Sequence, residues 1–312
     1  MSAAGEAKAR RARRRAIARA QHSSVRVSGD RSRGRMSAAG PPRGANCPEA
    51  RSAKGSPISR EGAQQQGLPA MPLGTGTEID GFCLGEHMHT GSMASIYRLA
   101  GPEGELPLII KIPRLGPGER AVNVIAFEVC RMVLGALEQS HHYPTLVAFG
   151  DVETTPYLVM EYIEGPRLND WVADAPVAAP ELARLGALIG LALHDLHRQD
   201  VVHLDLKPTN VLYRTSGEAA LIDFGLANHC HYPDLLAEEL RFPIGNWVYM
   251  APEQILGVRC DPRSDIFAFG AMLYHLATGH LPFGKPTTMA QLRRRIYRQP
   301  IPPRALVADT PE

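Results

Sequence analysis

The order of the apolar segments limits the fold of this chain more than any other feature. Five short apolar runs, FCLGEHMH, ASIYRLA, LPLIIKIP, TLVAFGDV and PYLVMEYI, occupy most of 82–163. Each is bounded by turn residues and has the length of a strand. After the glycine–proline pair at 165–166 the texture becomes helical. PELARLGALIGLALHDLHRQ (180–199) and SDIFAFGAMLYHLATG (264–279) each predict a long, largely buried helix. Within the strand-like part, one helical stretch at 118–138 places Val122, Ile125, Val129, Met132 and Val133 on one stripe. Strands first and helices second predict an α+β, bilobal chain: a small, mainly antiparallel β lobe with one helix over 77–164, and a larger helical lobe over 165–312.

The preceding segment differs in kind. Residues 1–70 hold 15 Lys/Arg against 4 Asp/Glu, a net +11, and the other residues hold 19 against 28, a net −9. The first aromatic residue is Phe82. A basic stretch without aromatics cannot bury enough apolar surface to offset its ordering entropy, so 1–76 is read as a disordered extension. RRARRRAIAR could hold phosphates weakly, and it resembles an organelle transit peptide, but a solvated tail is the plainer reading. No specific nucleic-acid partner is expected. MSAAG occurs at 1–5 and again at 36–40, and Met71 lies just before the first strand, so Met36 and Met71 are alternative starts.

Five scattered cysteines without a CxxC pair fit reduced structural thiols. His229-Cys230-His231 offers metal-binding side chains without a fourth partner at a metal-like spacing, so it reads as a loop. The longest apolar stretch, LGALIGLAL at 185–193, is too short for a membrane span. A cytoplasmic protein is the expectation.

The chemistry concentrates in VVHLDLKPTNVL, 201–212. Its alternation could belong to a half-buried strand, yet Asp205, Lys207 and Asn210 are an odd set for a plain polar face. Phosphoryl transfer needs cations over the phosphates, oxygen ligands for a divalent metal, and a group that orients the attacking hydroxyl. Asp205 can accept the hydroxyl proton, Lys207 can reach phosphoryl oxygens, and Asn210 offers a neutral oxygen to a metal. Asp223 ends the apolar strand ALI. Lys111 ends LPLII, where an ammonium is costly unless paired, and Glu128 on the helical stretch is the expected partner.

These residues, with HLDLKPTN, LIDFGLA, MAPEQ at 250–254, SDIFAFG at 264–270 and TGHLPF, resemble the eukaryotic-type (Hanks-type) serine/threonine protein kinases, including bacterial members, over about 77–312. The resemblance implies ATP and Mg²⁺ as cofactors and protein substrates. It implies that Lys111, paired with Glu128, clamps the α- and β-phosphates. It gives Asp205 the substrate hydroxyl and Asn210 and Asp223 the Mg²⁺. Lys207, two residues after Asp205, marks the Ser/Thr branch. Gly91 and Ile96 would lie in the loop over the phosphates. Met160 would guard the back of the adenine pocket, Glu161 and Ile163 would offer backbone groups to adenine, and Leu212 would form the floor. Asp265 would support the catalytic loop.

The chain also departs from that pattern. In the glycine-rich loop only Gly91 survives, with His89 and Ala94 in place of glycines, and Ile109 narrows the adenine slot. Leu204 replaces an arginine before the catalytic Asp, and no Ser or Thr lies between Asp223 and Ala251, so activity without Ser/Thr phosphorylation of that segment is expected. Asn246 replaces a bridging Thr. The expected last helices are missing, which leaves Glu253 without its arginine and suggests a C-terminal domain or partner chain that completes the lobe. A pseudokinase scaffold and a small-molecule kinase are the alternatives.

Overall fold

The computed structural model describes residues 73–310 except 92, 102–105, 115–120, 153–154 and 238–241. The basic extension lies almost wholly outside the described residues.

The five strand-like runs form strands β2 (Phe82–Thr90), β3 (Ala94–Leu99), β4 (Leu108–Pro113), β5 (Leu146–Val152) and β6 (Thr155–Glu161). A two-residue strand β1 (Glu78–Ile79), absent from the sequence reading, joins their edge. The sheet is antiparallel throughout, in the order β1-β2-β3-β4-β6-β5. One face carries Leu84, Tyr97, Leu108, Ile110 and Val159 into a core of its own. Side chains alternate along a strand, so Lys111, next to Ile110, points the other way. It stands opposite Ile96 on β3 and Leu158 on β6. The sequence alternation of β4 therefore aims this ammonium at the cleft.

Helix α1 (Ala121–Ala136) packs beneath the sheet through Phe127, Val129, Cys130, Val133 and Leu134. In the second lobe, α2 (Leu168–Ala173) precedes α3 (Ala179–His197), which buries Leu185, Ile189, Ala192, Leu193 and Leu196 at steps of three and four. Helix α4 (Pro252–Ile255) is a single turn, and α5 (Arg263–Thr278) lays Ala268, Ala271, Met272 and Leu276 into the same core. Gly279 stops α5 in the left-handed conformation, φ 71°, and its N–H donates to His275 O at 2.8 Å. Two short helices follow, α6 (Met289–Arg294) and α7 (Pro303–Leu306).

The stretch 201–212 is only marginally a strand. Val201–Val202 (β7) pairs with Asn228–His229 (β10), and Val211–Tyr213 (β8) pairs with Ala219–Leu221 (β9). Between them the chain leaves the sheet as a loop and one 3-10 turn at Pro208–Asn210. Leu204 and Leu206 are buried, but so are His203, Asp205 and Asn210. The alternation thus reflects a loop with both faces inside the protein, not a half-exposed strand.

Two cysteines depart from the reduced-thiol expectation. Cys230 and Cys260 are bonded to each other, with 5.6 Å between their Cα atoms, and Cys83 and Cys130 are free. The bond ties the residue after β10 to the loop before α5. Among the described residues, no helix is long and apolar enough to cross a membrane.

Gly165 follows the sheet and packs its backbone against the second lobe. Its φ is 146°, and an added Cβ would sit 1.8 Å from Tyr213 O. Only glycine fits, since the obstacle is backbone from the other lobe and cannot rotate away. Gly165→Ala is expected to lower the melting temperature by at least about 5 °C, because backbone strain of roughly 1–3 kcal/mol adds to the overlap. A calorimetric scan within about 1 °C of the parent would contradict this account of the junction.

Candidate functional site

The cleft between the lobes collects the charged residues singled out by the sequence, with one exception. Asp265, almost wholly buried at the first turn of α5, is the anchor. Its Oδ2 accepts the N–H of His203 at 2.7 Å and its Oδ1 accepts the N–H of Leu204 at 2.9 Å. His197 Nε2 meets Oδ2 at 2.9 Å. Charge-assisted bonds of this kind are about twice as strong as neutral ones. They hold Leu204 at φ 62°, a conformation that leucine otherwise avoids at a cost of about 1–2 kcal/mol. The turn this produces presents Asp205. His203 is fixed in one tautomer: its Nδ1 accepts from Asp205 N–H at 3.3 Å and its Nε2 donates to Ile222 O at 3.0 Å.

The Asp205 carboxylate is itself tightly held. Oδ1 accepts the backbone N–H of Asn246 at 3.1 Å. Oδ2 takes the Lys207 ammonium in a short ion pair and an N–H of Asn210 at 3.2 Å. The same Asn210 nitrogen donates to Asp205 O at 2.9 Å. The amide donor of Asn210 is therefore engaged, and its carbonyl oxygen has no partner among the described residues. Asn246 contributes its backbone and not its side chain, contrary to the expectation that its amide replaces a bridging Thr. Its Oδ1 accepts Val248 N–H at 3.0 Å and closes a local turn.

Asp223 lies on the left-handed turn that starts the 3-10 segment Phe224–Leu226. Its carboxylate accepts from Lys111 Nζ at 2.8 Å. The Lys111 charge holds the Asp223 carboxyl down to about 2 against the burial that would raise it. Burial pulls Lys111 down, but the negative charges of Asp223 and, more weakly, Asp205 more than offset it, and its pKa rises. The two groups stabilise each other as ions.

Glu128 is the exception. The sequence reading paired it with Lys111, but the structure pairs it with Arg131, one turn along α1, whose Nε donates to Oε2 at 2.8 Å. The reason is the rotation of α1. Buried Cys130, not Glu128, faces Lys111, and burial pushes its thiol up so that it stays neutral. Glu128 lies on the half-exposed side, where Arg131 is within reach.

Ile96 is half-buried opposite Lys111, Met160 is buried on β6 opposite Ile109, and Ile163 and Leu212 pack together with Ala220. Ile163 N–H has no partner among the described residues, whereas Glu161 N–H donates to Thr145 O at 2.9 Å and Tyr162 N–H to Pro107 O at 2.8 Å. Gly91 is at the tip of the β2–β3 hairpin. Its N–H donates to Ala94 O at 2.9 Å, and its carbonyl accepts from Arg114 at 3.3 Å. Glu253 is not left without a partner: its Oε1 accepts from Ser264 Oγ at 2.9 Å. The His-Cys-His run is dispersed, since Cys230 is bonded to Cys260 and His231 meets Asp200 at 2.9 Å.

The sequence reading missed Arg214. It lies just past β8 and forms a two-pronged ion pair with Glu161, with one contact at 3.1 Å and a shorter one. It also donates to His141 O at 2.7 Å. Both charged groups are largely buried. A glutamate inside the apolar run YLVMEYI was the available signal, because a buried carboxylate requires a cation.

Three comparisons with known proteins bear on this cleft. The sequence pattern described as a protein kinase domain matches residues 130–305. Serine/threonine-protein kinase Pkn1 of Myxococcus xanthus is 34% identical over 229 residues, 70% of this chain and 30% of its own. Serine/threonine-protein kinase PknB of Mycolicibacterium smegmatis is 29% identical over 242 residues, 75% of this chain and 38% of its own. The chain thus spans about a third of the length of these relatives.

The Glu161–Arg214 pair ties β6 to the second lobe and is open to a direct test. Arg214→Ala strands the buried carboxylate and is expected to cost about 3 kcal/mol in urea unfolding. Glu161→Leu combined with Arg214→Leu is expected to recover more than half of that loss, since it removes both charges. A single variant within about 0.5 kcal/mol of the parent would show that the pair contributes nothing.

Proposed function

Because the chain belongs to the protein kinase domain family, we propose that it transfers the γ-phosphoryl group of ATP to Ser or Thr hydroxyls of protein substrates. The observation that carries this reading is the convergence of Lys111, Asp223, Asp205, Lys207 and Asn210 in one cleft. The nucleotide would lie between the 77–164 and 165–312 lobes. Met160, Ile96, Ile163 and Leu212 supply an apolar slot for adenine, and the free Ile163 N–H and the backbone of Glu161 supply its polar edge. The Gly91 hairpin covers the phosphates, and Lys111 neutralises them.

Mg²⁺ fits the donor set. Asp223 stays ionised far below neutral pH, and Asn210 has an uncommitted carbonyl because its amide nitrogen is held by Asp205. When bound, the ion draws charge from the phosphate oxygens and so eases departure of the nucleoside diphosphate. The chain's own residues do the rest. Asp205, fixed by Asn246 N–H and Asn210, orients the substrate hydroxyl and receives its proton. Lys207, held beside Asp205, lies where it can offset the negative charge of the phosphoryl group in transit. The substrate this reading implies is a serine or threonine on a protein segment, with the cytoplasm as the place of action.

Two features favour activity that does not depend on phosphorylation of the segment after Asp223. Leu204 is buried and uncharged, so no cation before Asp205 awaits a phosphate. The segment between Asp223 and Ala251 has no Ser or Thr. Of its two phenols, Tyr249 is buried against His275 at 2.9 Å, and only Tyr232 is exposed.

The purified chain with Mg-ATP is expected to label itself or a generic basic protein, and Asp205→Asn is expected to reduce the rate by at least about a hundredfold while keeping its circular dichroism. Folded protein that never transfers phosphate, yet is stabilised thermally by ATP, would favour a nucleotide-binding scaffold instead. Mass spectrometry of the active sample is expected to find no phosphate between Asp223 and Ala251. Activity that disappears with removal of a phosphate from Tyr232 would overturn the independence claim.

A further inference from the structure

The charge of the second lobe is distributed unevenly. From Ile266 to Ala308 the sequence has no Asp or Glu, while it has Lys285, Arg293, Arg294, Arg295, Arg298 and Arg304. These residues build α6, the 3-10 turn Arg295–Tyr297 that continues it, and the chain up to α7. The inward side of this element is apolar: Leu292 packs against Met250 and Ile255. Arg295 is also turned inward, buried, with Nη1 donating to Met250 O at 2.7 Å and its guanidinium over the Phe283 ring. The element is thereby bolted to Met250, at the end of the segment that follows Asp223.

The outward side carries Arg293, Arg294 and Arg298, all exposed, around Tyr297, which is 88% exposed. None of the three guanidiniums makes a hydrogen bond or an ion pair among the described residues. Several other surface arginines are committed instead. Arg131, Arg184 and Arg263 each hold an acid two or three residues away, Glu128, Glu181 and Asp261. Here the sequence supplies no acid for forty residues. A surface with three uncommitted planar donors, an exposed aromatic ring and exposed Ile301 beside it is suited to carboxylates interspersed with apolar residues.

We propose that the outward face of this element, Arg293, Arg294 and Arg298 around Tyr297, docks an acidic segment of the protein substrate. The proposal rests on the kinase reading above and adds the substrate class to it. A docked segment would be held on the same lobe as Asp205, which raises the local concentration of a tethered hydroxyl. Nucleic acid is the less favoured occupant. The rest of the lobes carries a net negative charge that opposes a long polyanion, while a short acidic segment meets only this face.

The test measures binding without ATP, so it stands or falls separately from catalysis. A short fluorescein-labelled peptide rich in Glu, Asp and Leu, carrying a central benzophenone, is titrated with the full chain and compared with its Gln/Asn counterpart. The acidic peptide is expected to bind more tightly at low salt and to lose that advantage at high salt. The triple variant Arg293→Gln/Arg294→Gln/Arg298→Gln is expected to weaken binding about tenfold, and the triple Lys replacement to keep most of it. Photo-adducts are expected within 289–306. All three sites are exposed, and an unchanged melting temperature checks that each variant folds.

Equal binding of the acidic and neutral peptides, no difference between the parent and the Gln variant, or adducts confined to the basic residues 1–70 would each overturn the proposal. So would a single-stranded oligonucleotide that binds through these three arginines when the acidic peptide does not. Binding as expected in a chain that transfers no phosphate would sink the kinase reading and leave the docking face standing. Transfer of phosphate without peptide binding would do the reverse.

Discussion

The carboxylate of Asp265 is the interaction on which the site depends. It is buried among apolar side chains of the second lobe, where an unpaired charge would be expensive, and it is satisfied by two adjacent backbone N–H groups and one histidine. Two consecutive N–H groups can converge on one carboxylate only if the chain turns sharply between them. That turn puts Leu204 in the left-handed region, and its strain is offset by the bonds that enforce it. Asp205, the next residue, is thereby presented to Asn246 N–H, Lys207 and Asn210. The order of causes runs from a buried acid on a long helix to the loop geometry, and from the loop geometry to the presented carboxylate.

A second layer of charge joins the lobes. Lys111 comes from the sheet and Asp223 from the end of β9, and Glu161 comes from the sheet and Arg214 from the end of β8. Both pairs cross the boundary that Gly165 marks. In each, one member is a charged residue within or at the end of an apolar run, which is sequence evidence of a hidden partner. The pairs differ in exposure. Glu161 and Arg214 are nearly closed off from water, whereas Asp223 is 44% exposed on the side of the cleft. The first pair is enclosed between the lobes, and the second leaves part of its carboxylate open to solvent.

Much of this was legible in the sequence because the signals are local. Strand lengths, the two buried helices and the glycine–proline boundary follow from periodicity and composition within short windows. The assembly of Asp205, Lys207 and Asn210 follows from spacing within one loop. Pairing across elements was not legible in the same way. Lys111 has two acids within the expected set, and the choice between Asp223 and Glu128 depends on how α1 is rotated about its axis, which no spacing rule specifies. The same holds for Asn246: its side-chain oxygen accepts the backbone N–H of Val248, because an Asx-type turn competes with the cleft. Cys230 and Cys260 are thirty residues apart, and only the packing of β10 against the loop before α5 brings them together.

Leu204 also couples the loop that presents Asp205 to the segment after Asp223, through a neutral side chain. Leu204 O accepts the side-chain amide of Gln254 at 2.8 Å, and Gln254 Oε1 accepts Ala251 N–H at 2.9 Å. A neutral amide thus bridges the loop that presents Asp205 to the start of α4, directly after the segment that begins at Asp223. A neutral bridge has little long-range field, so neither ionic strength nor a distant phosphate alters it strongly. It acts through geometry: Gln254 makes both bonds only when Ala251 is at the first turn of α4 and Leu204 is in its left-handed turn. The position of the segment and the presentation of Asp205 are then linked by shape instead of by charge.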